Sequence, residues 1–159
     1  MTAPAGRVAL RRARGSDLDA IAALWRSLLA LHAEFDPAFG VASDAVPARA
    51  LAQLVDDAGT AAWVAEAEAH VVGFCAARVE DAPRALAESR RAEITELFVA
   101  ADARRSGLGR ALVAAACEWA RERGAARVEV RVAARNPSGQ AFWRSLGFGA
   151  FVDVLDRRL

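Results

Sequence analysis

A chain of 159 residues with a formal net charge of +1 is sized for one domain with a proper core, and carries no charge excess to draw it to nucleic acid or an anionic membrane. There is no Lys and no Tyr. All 21 basic residues are therefore Arg, which suits planar contacts to phosphate or carboxylate, although GC-rich coding explains the same usage.

Cys75 and Cys117 lie in apolar surroundings, GFCAA and AACEW, and read as small core residues. No apolar run approaches the roughly 20 residues that span a bilayer. The N-terminal stretch lacks the apolar centre of a signal peptide, so a cytoplasmic location is expected.

Residues 7–13, RVALRRA, alternate weakly and predict a first strand. Ser16 follows as a helix N-cap, with Asp17 and Asp19 favourably placed in the first turn. Ile21, Leu24, Trp25, Leu28 and Leu31 recur at helical spacing, giving an amphipathic helix to about Leu31. A polar and aromatic connection leads to a second helix from about Pro47 to Asp57. TAAWVAEAE and HVVGFCAARVE predict an antiparallel hairpin, although its turn lacks the favoured Asn-Gly or Asp-Gly.

A charged link at residues 81–91 precedes a fourth strand, AEITELFVA. Residues 107–123 predict a helix with Leu108, Leu112, Ala115 and Trp119 on one face, ended by Gly124. ARVEVRVAA predicts a fifth strand, PSGQAFWRSLG a short helix, and AFVDVL a last strand. The order β-α-α-β-β-β-α-β-α-β defines an α/β chain: one mixed sheet with helices on both faces, in which strand 4, helix and strand 5 form a parallel crossover.

Between the fourth strand and its helix lies Arg104-Arg105-Ser106-Gly107-Leu108-Gly109-Arg110. The first amides of a helix lack internal partners and carry the positive end of its dipole. Glycines let a ligand approach that backbone, and successive N–H groups form an anion-binding nest. With Arg104, Arg105 and Arg110 around it, phosphate is the natural guest. The spacing is neither that of a P-loop nor that of a dinucleotide fingerprint. A helix start whose glycines serve only packing is the competing reading.

Arg104-x-x-Gly107-x-Gly109 after ELFVAAD resembles the acetyl-coenzyme A signature of the GNAT superfamily of N-acetyltransferases. NPSGQAFWRSLGF, residues 136–148, is similar to that family's Asn-x4-Ala-x-Tyr-x3-Gly-Phe segment, with Asn136, Ala141, Gly147 and Phe148 in register. The element order carries the resemblance over residues 7–155. It implies a single N-acetyltransferase domain over residues 1–159, moving an acetyl group from acetyl-coenzyme A to a small-molecule or protein amine by direct transfer, without a metal.

It also implies a division of labour. The turn amides, including those of Ser106 and Leu108, would hold the pyrophosphate. Strands 4 and 5 would splay, leaving the backbone of Leu97, Phe98 and Val99 to pair with the pantetheine arm. Asn136 would contact that arm or fix the splay; an Asx-turn before Pro137 accounts for it equally. Phe142 and Trp143 would lie beside the thioester.

Acyl transfer needs a neutral amine, a donor for the oxyanion and a departing thiolate. A backbone N–H near Phe98 or Val99 is the oxyanion donor by analogy. Glu96 is the first candidate base, against the alternative of a solvated or Arg-paired carboxylate; Glu93 is the second, with His32 and Glu34 behind it. The family's Tyr is Trp143 here, whose indole is no usable acid, so the thiolate leaves with a proton from solvent or Ser145.

His32, Glu34, Phe35 and Asp36, with Phe39, fall in the first interhelical connection and offer an acceptor pocket for a cationic amine; an ordinary amphipathic loop has the same composition. Trp143 also motivates a rival reading, a non-catalytic coenzyme A-binding or sensing module. Dimers are frequent among similar proteins, and nothing in this sequence requires one.

Overall fold

The computed structural model describes residues 8–40 and 48–159. Strands β1 (Ala9–Arg12), β2 (Thr60–Ala67), β3 (His70–Asp81), β4 (Arg90–Val99) and β5 (Val128–Val130) form one sheet in sequence order. Pairing is antiparallel up to β4 and parallel between β4 and β5. Helices α1 (Leu18–Phe35) and α2 (Ala48–Asp56) cover one face; α3 (Leu108–Glu122) and α4 (Pro137–Ser145) serve the other. Among the described residues no helix is long and apolar enough to cross a membrane.

Alternation along the strands divides the core in two. Ala62, Val64, Phe74 and Ala76 meet Ile21 of α1 and Leu54 of α2. Trp63, Cys75, Ile94 and their neighbours meet Leu112, Ala116 and Trp119 of α3, with Trp143 of α4 at one end. Trp63 and Trp119 pack edge to face at 5.8 Å across this layer. Cys75 is buried and Cys117 half-buried, both free.

The hairpin forms without its favoured residues. Glu68 and Ala69 link Ala67 to His70 with φ of 49° and 63°, the left-handed pair that matches strand twist. His70 is exposed, as expected of a turn.

Several boundaries differ from expectation. The first strand covers Ala9–Arg12; Arg7 lies outside the described residues, as does Pro47 before α2. Ser16 is not the N-cap of α1. It sits in a 3-10 turn, Gly15–Asp17, and Asp17 precedes the helix. Asp17 is claimed from both sides: its carboxylate accepts from the Arg14 amide at 2.8 Å and from both terminal nitrogens of Arg11 at 2.7 and 2.9 Å. The helix then runs a turn beyond Leu31 because nothing breaks it before Asp36, which precedes Pro37 and is held extended at φ −156°.

The fifth strand shrinks to Val128–Val130, since β4 turns away after Ile94 and no strand covers its far side. Residues 150–155 form no strand. Their alternation offers an apolar face, but no layer covers it: Phe151 is 65% and Leu155 91% exposed. The tail is instead fastened at separate points, with the Phe151 ring 4.4 Å from the Arg127 guanidinium and Arg158 donating to Asp36 at 3.0 Å.

Candidate active site

Parallel pairing of β4 with β5 covers only Ala92–Ile94 and stops. At that point β4 carries a bulge: Ile94 faces Ala77 and Glu96 faces Ala76, so Thr95 is the extra residue. Beyond it, Glu96, Leu97, Phe98 and Val99 remain paired to β3 and leave their other edge open. The bulge also shifts parity. Ile94 and Leu97 serve the α3 layer, while Glu96 turns toward the α1 side with Phe98.

The turn after β4 builds an anion cradle. Arg105 and Gly107 both have left-handed backbones, φ 59° and 86°, and Gly107 caps α3. The first helical bond runs from the Ala111 amide to the Gly107 carbonyl at 3.0 Å, so the amides of Leu108, Gly109 and Arg110 precede the ladder. Arg105 and Arg110 are exposed around them. The two glycines serve different ends. Gly107 has open space around it and needs its positive φ, whereas a Cβ on Gly109 would lie 3.3 Å from the Phe142 ring.

Arg104 and Ser106 are less free than expected. Arg104 Nε donates to the Val99 carbonyl at 2.9 Å, and its guanidinium lies 5.4 Å from the Phe98 ring centroid. It therefore pins the end of β4 and occupies one edge carbonyl. The Ser106 hydroxyl turns back to the Ala103 carbonyl at 2.6 Å.

On the opposite bank, Asn136 caps α4: its Oδ1 accepts from the Gly139 amide at 2.9 Å and the Ser138 hydroxyl at 3.1 Å. Of the alternatives the sequence allowed, the local cap is present, and the same side chain borders the groove. Phe142 and Trp143 stack edge to face at 5.2 Å and also border it. Ser145 cannot serve the site as a donor, because its hydroxyl bonds the Phe142 carbonyl at 2.6 Å.

These parts bound one groove of about 580 Å³, running from the α3 turn along the open β4 edge to α1. Leu28, Leu31, His32 and Phe35 close the α1 end, and Glu96 lies beneath them. Burial pushes the Glu96 carboxyl upward from its ordinary range, opposed by a hydrogen bond from the Thr95 hydroxyl. Burial pushes the His32 imidazole down, favouring its neutral form.

The remaining acidic candidates are elsewhere. Glu93 is bound by Arg78 at 2.6 Å and Arg131 at 3.4 Å. Glu34 is exposed and outside the groove. Asp36 accepts from the Ala38 amide at 2.8 Å and pairs with Arg158 and Arg135.

Arg131, Thr95, Leu28 and Gly139 belong to the site or its frame and escaped sequence reasoning. One signal for Thr95 was present: core positions 92 and 94 are followed by 97 and 99, a change of parity that requires an extra residue between them.

An amide nest, an open strand edge and a half-buried carboxylate thus lie along one groove. The sequence profile of the acetyltransferase (GNAT) family matches residues 25–148, and the chain belongs to that family. Human N-acetyltransferase 8 is 33% identical over 94 residues, which cover 59% of this chain and 40% of the human protein. The chain thus spans less than half of that relative.

Among solved structures, a mutant Bacillus halodurans protein superposes with a TM-score of 0.84 at 19% identity, over 95% of this chain and 99% of its own. The aminoglycoside N-acetyltransferase AAC(6')-Iy in complex with CoA gives 0.76 at 19% identity, covering 100% and 99% of the two chains. An aminoglycoside acetyltransferase from an uncultured soil sample, in complex with sisomicin, gives 0.71 at 22%, covering 96% and 95%. These likenesses establish the shared fold.

Proposed function

We propose that this chain moves an acetyl group from acetyl-coenzyme A to an amine by direct transfer within a ternary complex. The observation that carries this reading is continuity: one groove joins the free α3 amides, the open edge of Leu97–Val99 and the half-buried Glu96. The pyrophosphate would sit on the amides of Leu108, Gly109 and Arg110, with Arg105 and Arg110 adding charge. The pantetheine amides would pair with the β4 edge, Phe142 and Trp143 flanking the arm.

Each chemical task then has a candidate. Glu96, directly or through water, takes the proton of the incoming ammonium, and its raised proton affinity favours that role. A free amide at the β4 edge, near Phe98 or Val99, stabilises the oxyanion. The amine nitrogen bonds the thioester carbon, gives up its second proton to solvent as the C–S bond breaks, and the thiolate collects a proton from solvent. Trp143 contributes packing. Glu93, held by two arginines, is the weaker candidate base.

The acceptor is read as a small-molecule amine, the kind of ligand named in the sisomicin complex of a structural neighbour. Trp143 in the position of the family's Tyr keeps a second reading alive, a coenzyme A-binding or sensing module without turnover.

Calorimetric titration with acetyl-coenzyme A and with ATP, followed by amine-dependent thiol release, separates these readings. Acetyl-coenzyme A binding that is weakened by Arg105→Glu, Arg110→Glu together, with an unchanged melting temperature, supports the cofactor site. Binding without thiol release on any amine favours the module. No binding removes both.

A further inference from the structure

Resting on that acetyl-transfer reading, we propose that the acceptor is a monoamine with an apolar body, an aralkyl or branched alkyl amine, rather than a polycationic sugar or polyamine. The argument is a charge inventory of the α1 end of the groove. Among the described residues, Glu96 is the one carboxylate in its walls. The acidic groups that the sequence places nearby are already neutralised or turned away. Glu93 is held between Arg78 and Arg131, at 2.6 and 3.4 Å. Asp36 is spent on the Ala38 amide, Arg158 and Arg135. Glu34 faces solvent.

Apart from the Thr95 hydroxyl bonded to it, what remains around Glu96 is apolar or cationic. Leu28, Leu31 and Phe35 from α1 and Phe98 from β4 form the walls. His32, tilted against Phe35 at 6.3 Å and driven toward its neutral form by burial, adds an aromatic surface without charge. Arg131, 79% exposed at the side chain, stands at the rim. Arg104, Arg105 and Arg110 occupy the other end.

A polycation entering this groove would satisfy one ammonium on Glu96. Its others would face Leu28, Leu31 and Phe35, or Arg131. Stripping water from an ammonium without a partner is costly, and like charges at the rim add to the cost. A monoamine meets neither penalty: its nitrogen reaches Glu96 and its carbon body covers the α1 wall. Size points the same way. About 580 Å³ must hold both the pantetheine arm and the acceptor, which leaves room for a small body.

The test compares kcat/KM for 2-phenylethylamine and isopentylamine with that for kanamycin and spermidine, by thiol release at saturating acetyl-coenzyme A. The monoamines are expected to lead by about 100-fold or more. Arg131→Ala, which removes a rim cation and releases Glu93, should move the ratio toward the polycations by about tenfold. Polycations preferred by the native protein would overturn the inference while leaving acetyl transfer standing. An unchanged ratio in Arg131→Ala would overturn its electrostatic basis. Absence of thiol release with amines of both kinds, while acetyl-coenzyme A still binds, would overturn the transfer reading beneath it.

Discussion

Replacing Glu96 by Gln should make the protein more stable and less active at the same time. Burial is the main cause of the raised proton affinity of Glu96, with the neighbouring Glu93 charge adding to it and the Thr95 hydrogen bond and Arg78 opposing it. In the unfolded chain the carboxyl returns to its ordinary value near 4.5. The folded state therefore holds the proton more tightly, and the native protein loses stability as pH rises from that value through the folded pKa. Above the folded pKa the loss is complete. Each tenfold increase in proton affinity corresponds to about 1.4 kcal/mol.

Gln keeps the volume and an acceptor for Thr95 without the charge. Its advantage in stability should be fully present well above the folded pKa, and should close as pH falls toward the unfolded value. Urea unfolding across this range measures it. The loss of a general base should lower kcat by about 10²–10⁴, with acetyl-coenzyme A affinity retained. Because the acceptor amine ionises too, the informative quantity is the native-to-variant ratio of kcat/KM against pH. Amine ionisation cancels in that ratio, which should rise through the Glu96 pKa and then level. A variant less stable than the native protein at about pH 8, or one within threefold of its kcat, would refute the reasoning.

Gly107→Ala forces a side chain into φ 86°, at a cost of about 1–2 kcal/mol by thermal melting, and should weaken acetyl-coenzyme A binding by distorting the nest. Gly109→Ala meets the Phe142 ring at 3.3 Å, and the shift it forces is read as a loss of coenzyme affinity in the same titration. Ala69→Gly relieves a left-handed turn residue and should stabilise the fold by about 0.5–1 kcal/mol in urea unfolding, with activity unchanged. Asp17→Ala strands part of the Arg11 fork and the Arg14 amide, costing about 1–3 kcal/mol. The Arg11 hydrogen bonds hold Asp17 below its ordinary value of 3.8, so its contribution is present above that value and lost as pH falls through the lower folded pKa; the difference from Asp17→Ala should narrow there.

Most of the frame was legible because it is written in local periodicity. The hairpin of β2 and β3, the run of β4 into a glycine-bearing turn, and α3 with its terminal Gly124 at φ 77° all follow from spacing within one element. The acceptor end was not, because the fate of its carboxylates is decided by distant partners. Asp36 and Glu34 look alike in HAEFDP, yet Asp36 is claimed by Arg158, 122 residues away. Glu93 and Glu96 look alike in AEITELFV, and one inserted residue separates them: one joins the exposed arginine ladder with Arg78, and the other is driven under α1. The last strand failed for a similar reason. AFVDVL has the pattern of a strand, but a strand needs an edge, and β5 offers only Val128–Val130.

Thr95 is where fold and site become the same question. Were Thr95 paired in regular register instead of bulged, β4 would keep its parity and Glu96 would point into the α3 layer with Ile94, a charge against Cys75 and Leu112. The bulge prevents that by giving the interior Leu97 and sending Glu96 to the other face. The same distortion ends the β4–β5 ladder, since a parallel partner cannot follow a strand that has changed its twist, and the freed edge becomes the floor of the groove. The bulged pairing thus keeps Glu96 on the α1 side and accompanies the open edge beside it. Deleting Thr95 leaves Glu96 on the α1 side by plain alternation after Ile94 but removes the bulge beside the open edge, and should weaken acetyl-coenzyme A binding in calorimetric titration, whereas Thr95→Ala, which keeps the residue count and removes only the hydroxyl bonded to Glu96, should leave coenzyme binding intact and move the pH dependence of turnover upward.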